Sequence, residues 1–94
     1  MKLRWTRLAS SDLESAHDYV AQDNPAAADD LIEQIVSAVE LLQRQWQMGR
    51  KGRVPGTREL VITGTPFVVA YRVRRDQVEI LAILHGARRW PDRL

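Results

Sequence analysis

The sequence predicts an α+β fold in which an N-terminal helical hairpin covers one face of an antiparallel sheet, in the order β-α-α-β-β-β. Apolar residues recur at helical spacing between residues 8 and 46. After residue 48 the pattern changes to short runs rich in Val, Ile, Phe and Tyr, which turn residues separate. The 94 residues suffice for one modest core, so we expect a single domain over residues 1–94.

A short strand and a helix are predicted at the start of the chain. Lys2–Trp5 favours the strand. The helix that follows begins either near Arg7 or at Ser11, since Ser11 and Glu14 have the form of a capping box. His17 lies between charged residues of this helix and is expected to face water. The apolar side chains of the helix share one face: Leu8, Leu13, Ala16 and Val20.

The second helix has a clear start signal. Asn24 is a favoured N-cap, and Pro25 suits the first helical position because its missing N–H would have no partner there. Only a few residues join the two helices, so we expect an antiparallel hairpin. The pattern predicts a helix over Ala26–Trp46 with one broad apolar stripe: Ala28, Leu31, Ile32, Ile35, Val36, Val39, Leu42 and Trp46.

Three strand candidates follow a basic loop, Gly49–Gly56. They are Thr57–Thr63, Phe67–Arg74 and Gln77–His85, and the short turns between them predict an antiparallel meander. The apolar stripe of the second helix needs a sheet face to cover, and these strands supply it. A short basic tail, Gly86–Leu94, follows the last strand.

The composition excludes several classes of protein. The chain has no cysteine and two histidines, so neither a disulfide framework nor a metal site is expected, and no motif indicates a cofactor. The longest apolar runs are five residues, which predicts no membrane span, and the polar residues after Met1 predict no secretion signal. We therefore expect a soluble protein of the cytoplasm.

Charge is distributed unevenly along the chain. Residues 1–48 carry four basic and eight acidic side chains, a net −4, whereas residues 49–94 carry ten basic and four acidic ones, a net +6. Twelve of the fourteen basic residues are arginines, whose planar guanidinium groups suit phosphates and carboxylates. The second half therefore either binds an anionic partner or has a basic surface without one.

Two arginines lie within apolar strands and are candidate site residues. Arg58 shares a strand face with Leu60 and Ile62, and Arg72 shares a face with Ala70. One face of the sheet must be core, so an arginine on it needs a specific partner. Each arginine either pairs with a carboxylate that stabilises the fold or lines a concave surface that binds phosphate.

The end of the last strand and the basic loop hold the other candidates. His85 ends the strand and precedes Arg88 and Arg89, where it is either a structural hydrogen-bonding group or an acid–base catalyst. Surface loops are often basic without a partner, but phosphate contacts need only positive charge. Contact with a nucleic-acid backbone is therefore one of two options for three loop residues: Arg50, Lys51 and Arg53.

Three segments of the second half carry a resemblance to a known family. They are Gly-Arg-Val-Pro-Gly-Thr-Arg-Glu-Leu-Val at 52–61, Pro-Phe-Val-Val-Ala-Tyr-Arg-Val at 66–73, and 78–91, which ends in His-Gly-Ala-Arg-Arg-Trp-Pro. The helix with Asp12-Leu13 and the Asn-Pro-Ala-Ala start of the second helix also fit. In this order they resemble the RelE/ParE superfamily of type II toxin–antitoxin toxins. The resemblance covers essentially the whole chain and implies the same β-α-α-β-β-β architecture.

The resemblance implies a small bacterial toxin that inhibits growth and that a cognate antitoxin, encoded beside it, holds inactive. ParE-like members poison DNA gyrase, whereas RelE-like members enter the ribosomal A site and cut mRNA without a metal. The Arg-Glu-Leu-Val and His-Gly-Ala-Arg-Arg-Trp-Pro segments favour the ParE-like branch, with the RelE-like endoribonuclease as the alternative. A third option is a member that only pairs with its antitoxin and represses their operon, meeting operator DNA only through that antitoxin.

The resemblance also implies roles for individual residues. In a metal-independent endoribonuclease, His85 would be the base or acid and the cations would be Arg58, Arg72 and Arg88. No tyrosine follows His85 and the strand lysines of such nucleases are missing, so it stays open whether the protein is an enzyme. The same three arginines are predicted to bind antitoxin carboxylates, and Glu59 is expected to form a fold-stabilising pair with Arg58. Five residues are predicted to contact the target or nucleic acid: Arg50, Lys51, Arg53, Arg88 and Arg89.

Overall fold

Two helices lie against one face of a five-stranded sheet in the computed structural model, which describes residues 1–94. The strand order is β1-β5-β4-β3-β2. This arrangement confirms the predicted α+β class. The chain runs through β1 (Lys2–Trp5), α1 (Arg7–Ala21), α2 (Pro25–Leu41), β2 (Arg50–Lys51), β3 (Arg58–Val61), β4 (Phe67–Arg74) and β5 (Gln77–His85).

The sheet differs from the predicted one at both of its edges. β1 pairs with β5 in parallel, so the sheet is mixed, while β3 with β4 and β4 with β5 are antiparallel as expected. At the opposite edge, β2 adds a fifth strand of two residues where the sequence predicts a loop. The parallel pairing of β1 has no local signal, because Arg4 lies opposite Glu79, 75 residues further along the chain. With two residues, β2 is too short to leave a strand pattern in the sequence.

The two helices begin at capping residues. Asn24 caps α2 as predicted, its side-chain oxygen accepting from the Ala27 N–H at 3.1 Å. α1 is capped by Thr6, whose hydroxyl oxygen accepts from the Ala9 N–H at 3.1 Å. That hydroxyl also donates to the Ile80 carbonyl at 2.7 Å. The helix therefore starts at Arg7, and the capping box predicted from residue 11 lies inside it.

α2 ends at Leu41, before the predicted end at Trp46. Trp46 instead begins a single 3-10 turn, Trp46–Met48, from which its ring packs against the core. Neither α1 nor α2 has the length and apolar content that a membrane-crossing helix needs.

His17 joins the two helices, although the sequence predicts that it faces water. Its Nε2 lies 2.9 Å from an Asp29 carboxylate oxygen on α2, and its Nδ1 lies 3.5 Å from Asp18. The hydrogen bond with Asp29, followed by that with Asp18, raises the pKa of His17 above its ordinary value. The two carboxylates therefore favour the protonated form of the imidazole at this contact between the helices.

The core fills the space between the helical hairpin and the sheet. Apolar side chains of α1 and α2 meet one face of β3, β4 and β5, and most of the helical half comes from the stripe predicted for α2. On α1 the prediction is partly wrong, because Leu8 is 54% exposed and its neighbour Ala9 is buried instead. The buried residues of this cluster are Ala9, Ala16, Leu31, Ile35, Val39, Leu42, Leu60, Ile62, Val69, Tyr71, Val78, Ile80 and Ile83.

Tyr71 connects this core to the segment that follows α2. Its side chain is fully buried, and its hydroxyl donates to the Trp46 carbonyl at 2.7 Å and accepts from the Gly49 N–H at 2.8 Å. A Cβ on Gly49 would lie 2.4 Å from the hydroxyl oxygen, so glycine permits this close approach. Burial raises the pKa of Tyr71, which keeps the hydroxyl protonated and able to donate.

We expect Tyr71→Phe to lower the free energy of unfolding by about 1–3 kcal/mol, because it leaves the buried Gly49 N–H and Trp46 carbonyl without a partner. Urea denaturation measures the change. Tyr19→Phe removes a hydroxyl from a side chain that is largely exposed, and should change stability by less than about 0.5 kcal/mol. Equal losses in the two variants would contradict the role given to Tyr71.

Candidate functional site

Strand alternation places two glutamates on the sheet face that is turned away from the helices. Leu60 and Ile80 point into the core, so their neighbours Glu59 and Glu79 point to the opposite side, which we call the open face. Glu59 is 3% exposed and Glu79 is 7% exposed. Buried carboxylates need partners of opposite charge, and four arginines provide them: Arg4, Arg50, Arg53 and Arg72.

Glu59 is held from two sides by the short edge strand and the loop that follows it. Its Oε1 accepts from Arg50 Nε at 3.1 Å and Nη2 at 2.9 Å. Its Oε2 accepts from the Arg53 backbone N–H at 2.8 Å and from Arg53 Nε at 3.1 Å. The guanidinium of Arg53 also stacks on the Trp90 ring, with its Cζ 3.6 Å from the ring centroid. These contacts fasten β2 and the C-terminal tail to β3.

Glu79 is held by the two strands that flank β5. Arg72 of β4 donates from Nε to Oε1 at 2.6 Å, and Arg4 of β1 donates from Nη1 to Oε2. The register places Arg4, Glu79 and Arg72 side by side across β1, β5 and β4. The parallel strand β1 is therefore joined to its neighbours by side chains as well as by backbone hydrogen bonds.

The arginines keep both glutamates ionised. For Glu59, burial favours the neutral form, but the hydrogen bonds from Arg53 and Arg50 outweigh it and hold its pKa below the ordinary value. For Glu79, the hydrogen bond from Arg72 lowers the pKa most, against the opposing effect of burial, and Arg4 lowers it further. Both carboxylates therefore carry their charge at neutral pH.

Arg58 has no carboxylate partner, unlike one of the two alternatives predicted for it. It lies on the helix side of β3, where its Nη1 donates to the Gly49 carbonyl at 2.9 Å and its guanidinium lies 5.4 Å from the Trp46 ring centroid. Glu59 points to the other face, so the expected pair between Arg58 and Glu59 does not form. Arg58 and Arg72 both line a cavity of about 390 Å³ at the end of the sheet, but from opposite faces.

The predicted basic loop is partly strand, and its residues have separate environments. Arg50 and Arg53 are committed to Glu59, as described above. Lys51 is exposed and lines the cavity that Arg58 and Arg72 share. The three side chains therefore do not form one flexible basic segment.

His85 lies at the opposite end of the sheet from Arg58 and Arg72. Its Nδ1 accepts from the Ala87 N–H at 3.2 Å, and its ring packs edge-on against Phe67 with centroids 6.0 Å apart. In the strand register, His85 lies opposite Phe67 of β4, whereas Arg58 lies opposite Tyr71 of the same strand. Four residues along β4 separate these pairs, about 13 Å at ordinary strand geometry. The structure therefore brings Arg58 and Arg72 to one end of the sheet and His85 to the other.

His85 instead shares a groove with the two arginines that follow it. The groove lies between α1 and the ends of β4 and β5, has a volume of about 430 Å³, and is called the α1 groove below. Arg88 lies with its Cζ 5.8 Å from the Tyr19 ring centroid. The residues of α1, β4, β5 and the tail that line the groove are Asp12, Ser15, Ala16, Tyr19, Phe67, Ile83, Leu84, His85, Arg88 and Arg89.

The base of the groove is fixed by Asp12. Its carboxylate accepts from the Ile83 N–H at 2.9 Å, beyond the point where β1 ends. Burial raises the pKa of Asp12, and the backbone hydrogen bond partly offsets this. Tyr19, which lines the groove, is 61% exposed, and Leu8, further towards the start of α1, is 54% exposed, so α1 leaves apolar surface uncovered.

Arg4 and Glu79 are the site residues that sequence reasoning missed. Glu79 had a signal, because it is the one carboxylate in the buried run of β5 and therefore needs a cation. Arg4 had none, because only the parallel pairing of β1 with β5 brings it to Glu79.

Comparison with known proteins places this fold and these sequence features in one class. A chain of the chromosomal ParDE toxin–antitoxin system of P. aeruginosa superposes with a TM-score of 0.81 at 37% identity, over 88% of this chain and 92% of that one. Y4kP of Sinorhizobium fredii, named as a candidate toxin, is 39% identical over 96% of this chain and 93% of its own length. The toxin RelE2 of Caulobacter vibrioides is 34% identical over 89% and 93%.

These similarities define a toxin of the RelE/ParE superfamily of type II toxin–antitoxin systems, which confirms the resemblance seen in the sequence. Within that superfamily the chain belongs to the ParE toxin family. The sequence model of that family, described as the ParE toxin of the type II toxin–antitoxin system parDE, matches residues 3–90.

Removing the arginines around Glu59 should destabilise the fold more than removing the carboxylate. We expect Arg50→Ala with Arg53→Ala to cost about 3 kcal/mol or more, because it leaves a buried charge unpaired. Glu59→Gln should cost less, because the two guanidinium groups it frees reach water. Arg74→Ala with Arg75→Ala, two exposed arginines outside ion pairs, is the matched control. Urea denaturation that ranks the variants otherwise would refute this account.

The depressed pKa values of Glu59 and Glu79 predict a loss of stability in acid. Their contribution is complete above the unfolded pKa of 4.5 and disappears as the pH falls through the lower pKa of the folded state. We expect the free energy of unfolding to decline steeply below about pH 4.5. In a Glu59→Gln, Glu79→Gln variant the decline should be shallower, since these groups no longer bind protons. Parallel curves for the two proteins would assign the acid sensitivity to other carboxylates.

Proposed function

We propose that this protein inhibits bacterial growth by binding and poisoning DNA gyrase, and that a cognate antitoxin neutralises it. The family assignment supports a toxin with an antitoxin partner. The separation of His85 from Arg58 and Arg72 is the observation that favours a binding toxin over a nuclease. Metal-free RNA cleavage needs a base, an acid and cations converging on one phosphate. About 13 Å of strand lies between these groups, so they do not converge on one phosphate.

The α1 groove is the surface that best suits the antitoxin. It combines exposed apolar side chains of α1 with Arg88 and Arg89, which are outside ion pairs. A segment that folds on binding can lay apolar residues along α1 and direct carboxylates to these arginines. Of the three arginines predicted to bind antitoxin carboxylates, Arg88 fits this role. Arg58 and Arg72 lie at the other end of the sheet, away from this groove.

The alternative is a ribosome-dependent mRNA endoribonuclease. It is favoured by one feature of the α1 groove, where His85 stands beside Arg88 and Arg89 and its Nε2 has no partner within the chain. An imidazole with cations beside it could move a proton and stabilise phosphate charge. Both targets lie in the cytoplasm, which is where we place the protein's action.

His85→Ala distinguishes the two mechanisms. A gyrase poison should keep its toxicity in this variant, whereas a nuclease should lose about 10²–10⁴-fold of its cleavage rate with its acid or base. The readouts are growth after induction without antitoxin, DNA damage response, mRNA integrity, and cleaved plasmid after incubation with purified gyrase. We expect linear plasmid, an early damage response and intact mRNA, with wild type and variant alike.

The variant must retain its cooperative unfolding transition for this comparison to count. Cleavage of mRNA within codons that disappears in His85→Ala would replace the gyrase mechanism with the ribosomal one. An absence of toxicity in the wild-type protein would leave only antitoxin pairing and operon repression.

A further inference from the structure

The open face carries more positive charge than its own carboxylates neutralise, and this charge lies outside the α1 groove. Register places Lys2, Gln77 and Arg74 in one row across β1, β5 and β4, and Arg4, Glu79 and Arg72 in the next. Arg50 and Arg53 extend the set over β3 through Glu59. Six cations thus share a face with two carboxylates, an excess of four positive charges.

From this arrangement we propose that the open face binds the phosphate backbone of duplex DNA without reading its sequence. The proposal concerns what the chain binds by itself and holds for either target of the toxin.

The two buried glutamates orient the guanidinium groups without exhausting them. Arg4 gives one N–H to Glu79 through Nη1, and Arg72 gives one through Nε. A guanidinium has five N–H groups, so most donors on these two remain for another acceptor. The side chains of Arg4, Arg50 and Arg53 are 57%, 56% and 44% exposed, and their donors can reach a ligand on the surface. Arginines held in this way suit phosphate oxygens, which accept two parallel N–H bonds.

The cations without a carboxylate lie at one end of this face. Lys2 and Arg74 are exposed and are outside all ion pairs of the chain, and so is Arg75 in the turn that follows β4. A recess of about 330 Å³ at this end is lined entirely by polar residues: Arg4, Arg74, Arg75, Gln77 and Glu79. A phosphate group suits such a recess better than an apolar side chain does.

The dimensions and the lack of a free aromatic ring favour a duplex over a single strand. The five strands give the charged face a width of about 19 Å at the ordinary spacing between strands. Duplex DNA has about one charge per 1.7 Å of axis, so a face of this width meets more phosphates than its charge excess can neutralise. Single-strand binding relies on bases stacking on aromatic rings. Trp90, which lies beside this face, is already covered by Arg53.

Fluorescence anisotropy with a labelled 20-base-pair duplex of arbitrary sequence tests the proposal. Neutralising four phosphates gives a salt slope of about −3.6, or about a 150-fold loss of affinity between 50 and 200 mM KCl. Lys2→Gln with Arg74→Gln removes two cations and leaves the Glu59 and Glu79 pairs intact. The salt slope of this variant should be shallower, about −1.8, which is about a 12-fold loss of affinity over the same range.

Arg7→Gln with Arg44→Gln is the matched control, because it removes the same charge from the start of α1 and from the turn after α2, neither of which belongs to the open face. It should keep the slope of the wild-type protein. Equal losses in both variants would mean that net charge, not the open face, attracts DNA. Tighter binding of a 20-nucleotide single strand than of the duplex would overturn the proposal that duplex DNA is the ligand. Equal competition by polyglutamate of matched charge would make the face a site for acidic protein segments instead.

Discussion

The burial of two ionised glutamates on the face opposite the helices is the constraint on which much of this structure depends. β1 has four residues and β2 has two, so backbone pairing alone holds the edges of the sheet weakly. Glu79 draws arginines from β1 and β4, and Glu59 draws them from β2 and the loop after it. A buried carboxylate without these partners would lower the free energy of unfolding. The ion pairs therefore hold each edge strand to the centre of the sheet.

The parts of the fold that the sequence predicts well are those with local causes. Asn24 and Pro25 start α2 through contacts within four residues, and the helical stripe follows from the spacing of its apolar side chains. Thr6 shows where this reasoning stops. Residues 6 and 11 both carry hydroxyl groups, and the bond from Thr6 to the Ile80 carbonyl selects the earlier start. The parallel pairing of β1 and the two-residue β2 likewise depend on partners that are distant in sequence or too short to leave a pattern.

For the candidate site, the sequence predicts which residue types matter but not which of them meet. Strand alternation puts Arg58 and Glu59 on opposite faces, contrary to the pair expected between them. Both faces of β4 carry apolar residues, so the pattern does not tell which face the helices cover. The partner of Arg58 is a backbone carbonyl, and every residue has one, so the sequence does not indicate which carbonyl it will be. The distance between His85 and Arg58 follows from the strand register. In the sequence the two residues are candidates for one site, but the register places them on two separate surfaces.

The hydrogen bonds at the end of β5 also bear on how the protein resists aggregation. β1 stops opposite Ile80, so the rest of β5 has an edge on which another chain could add a strand. Asp12 occupies the Ile83 N–H on that edge, and the indole N–H of Trp90 occupies the His85 carbonyl at 3.2 Å. Two side chains, one from α1 and one from the tail, thus occupy backbone groups of β5 that the strand of another copy would otherwise pair with.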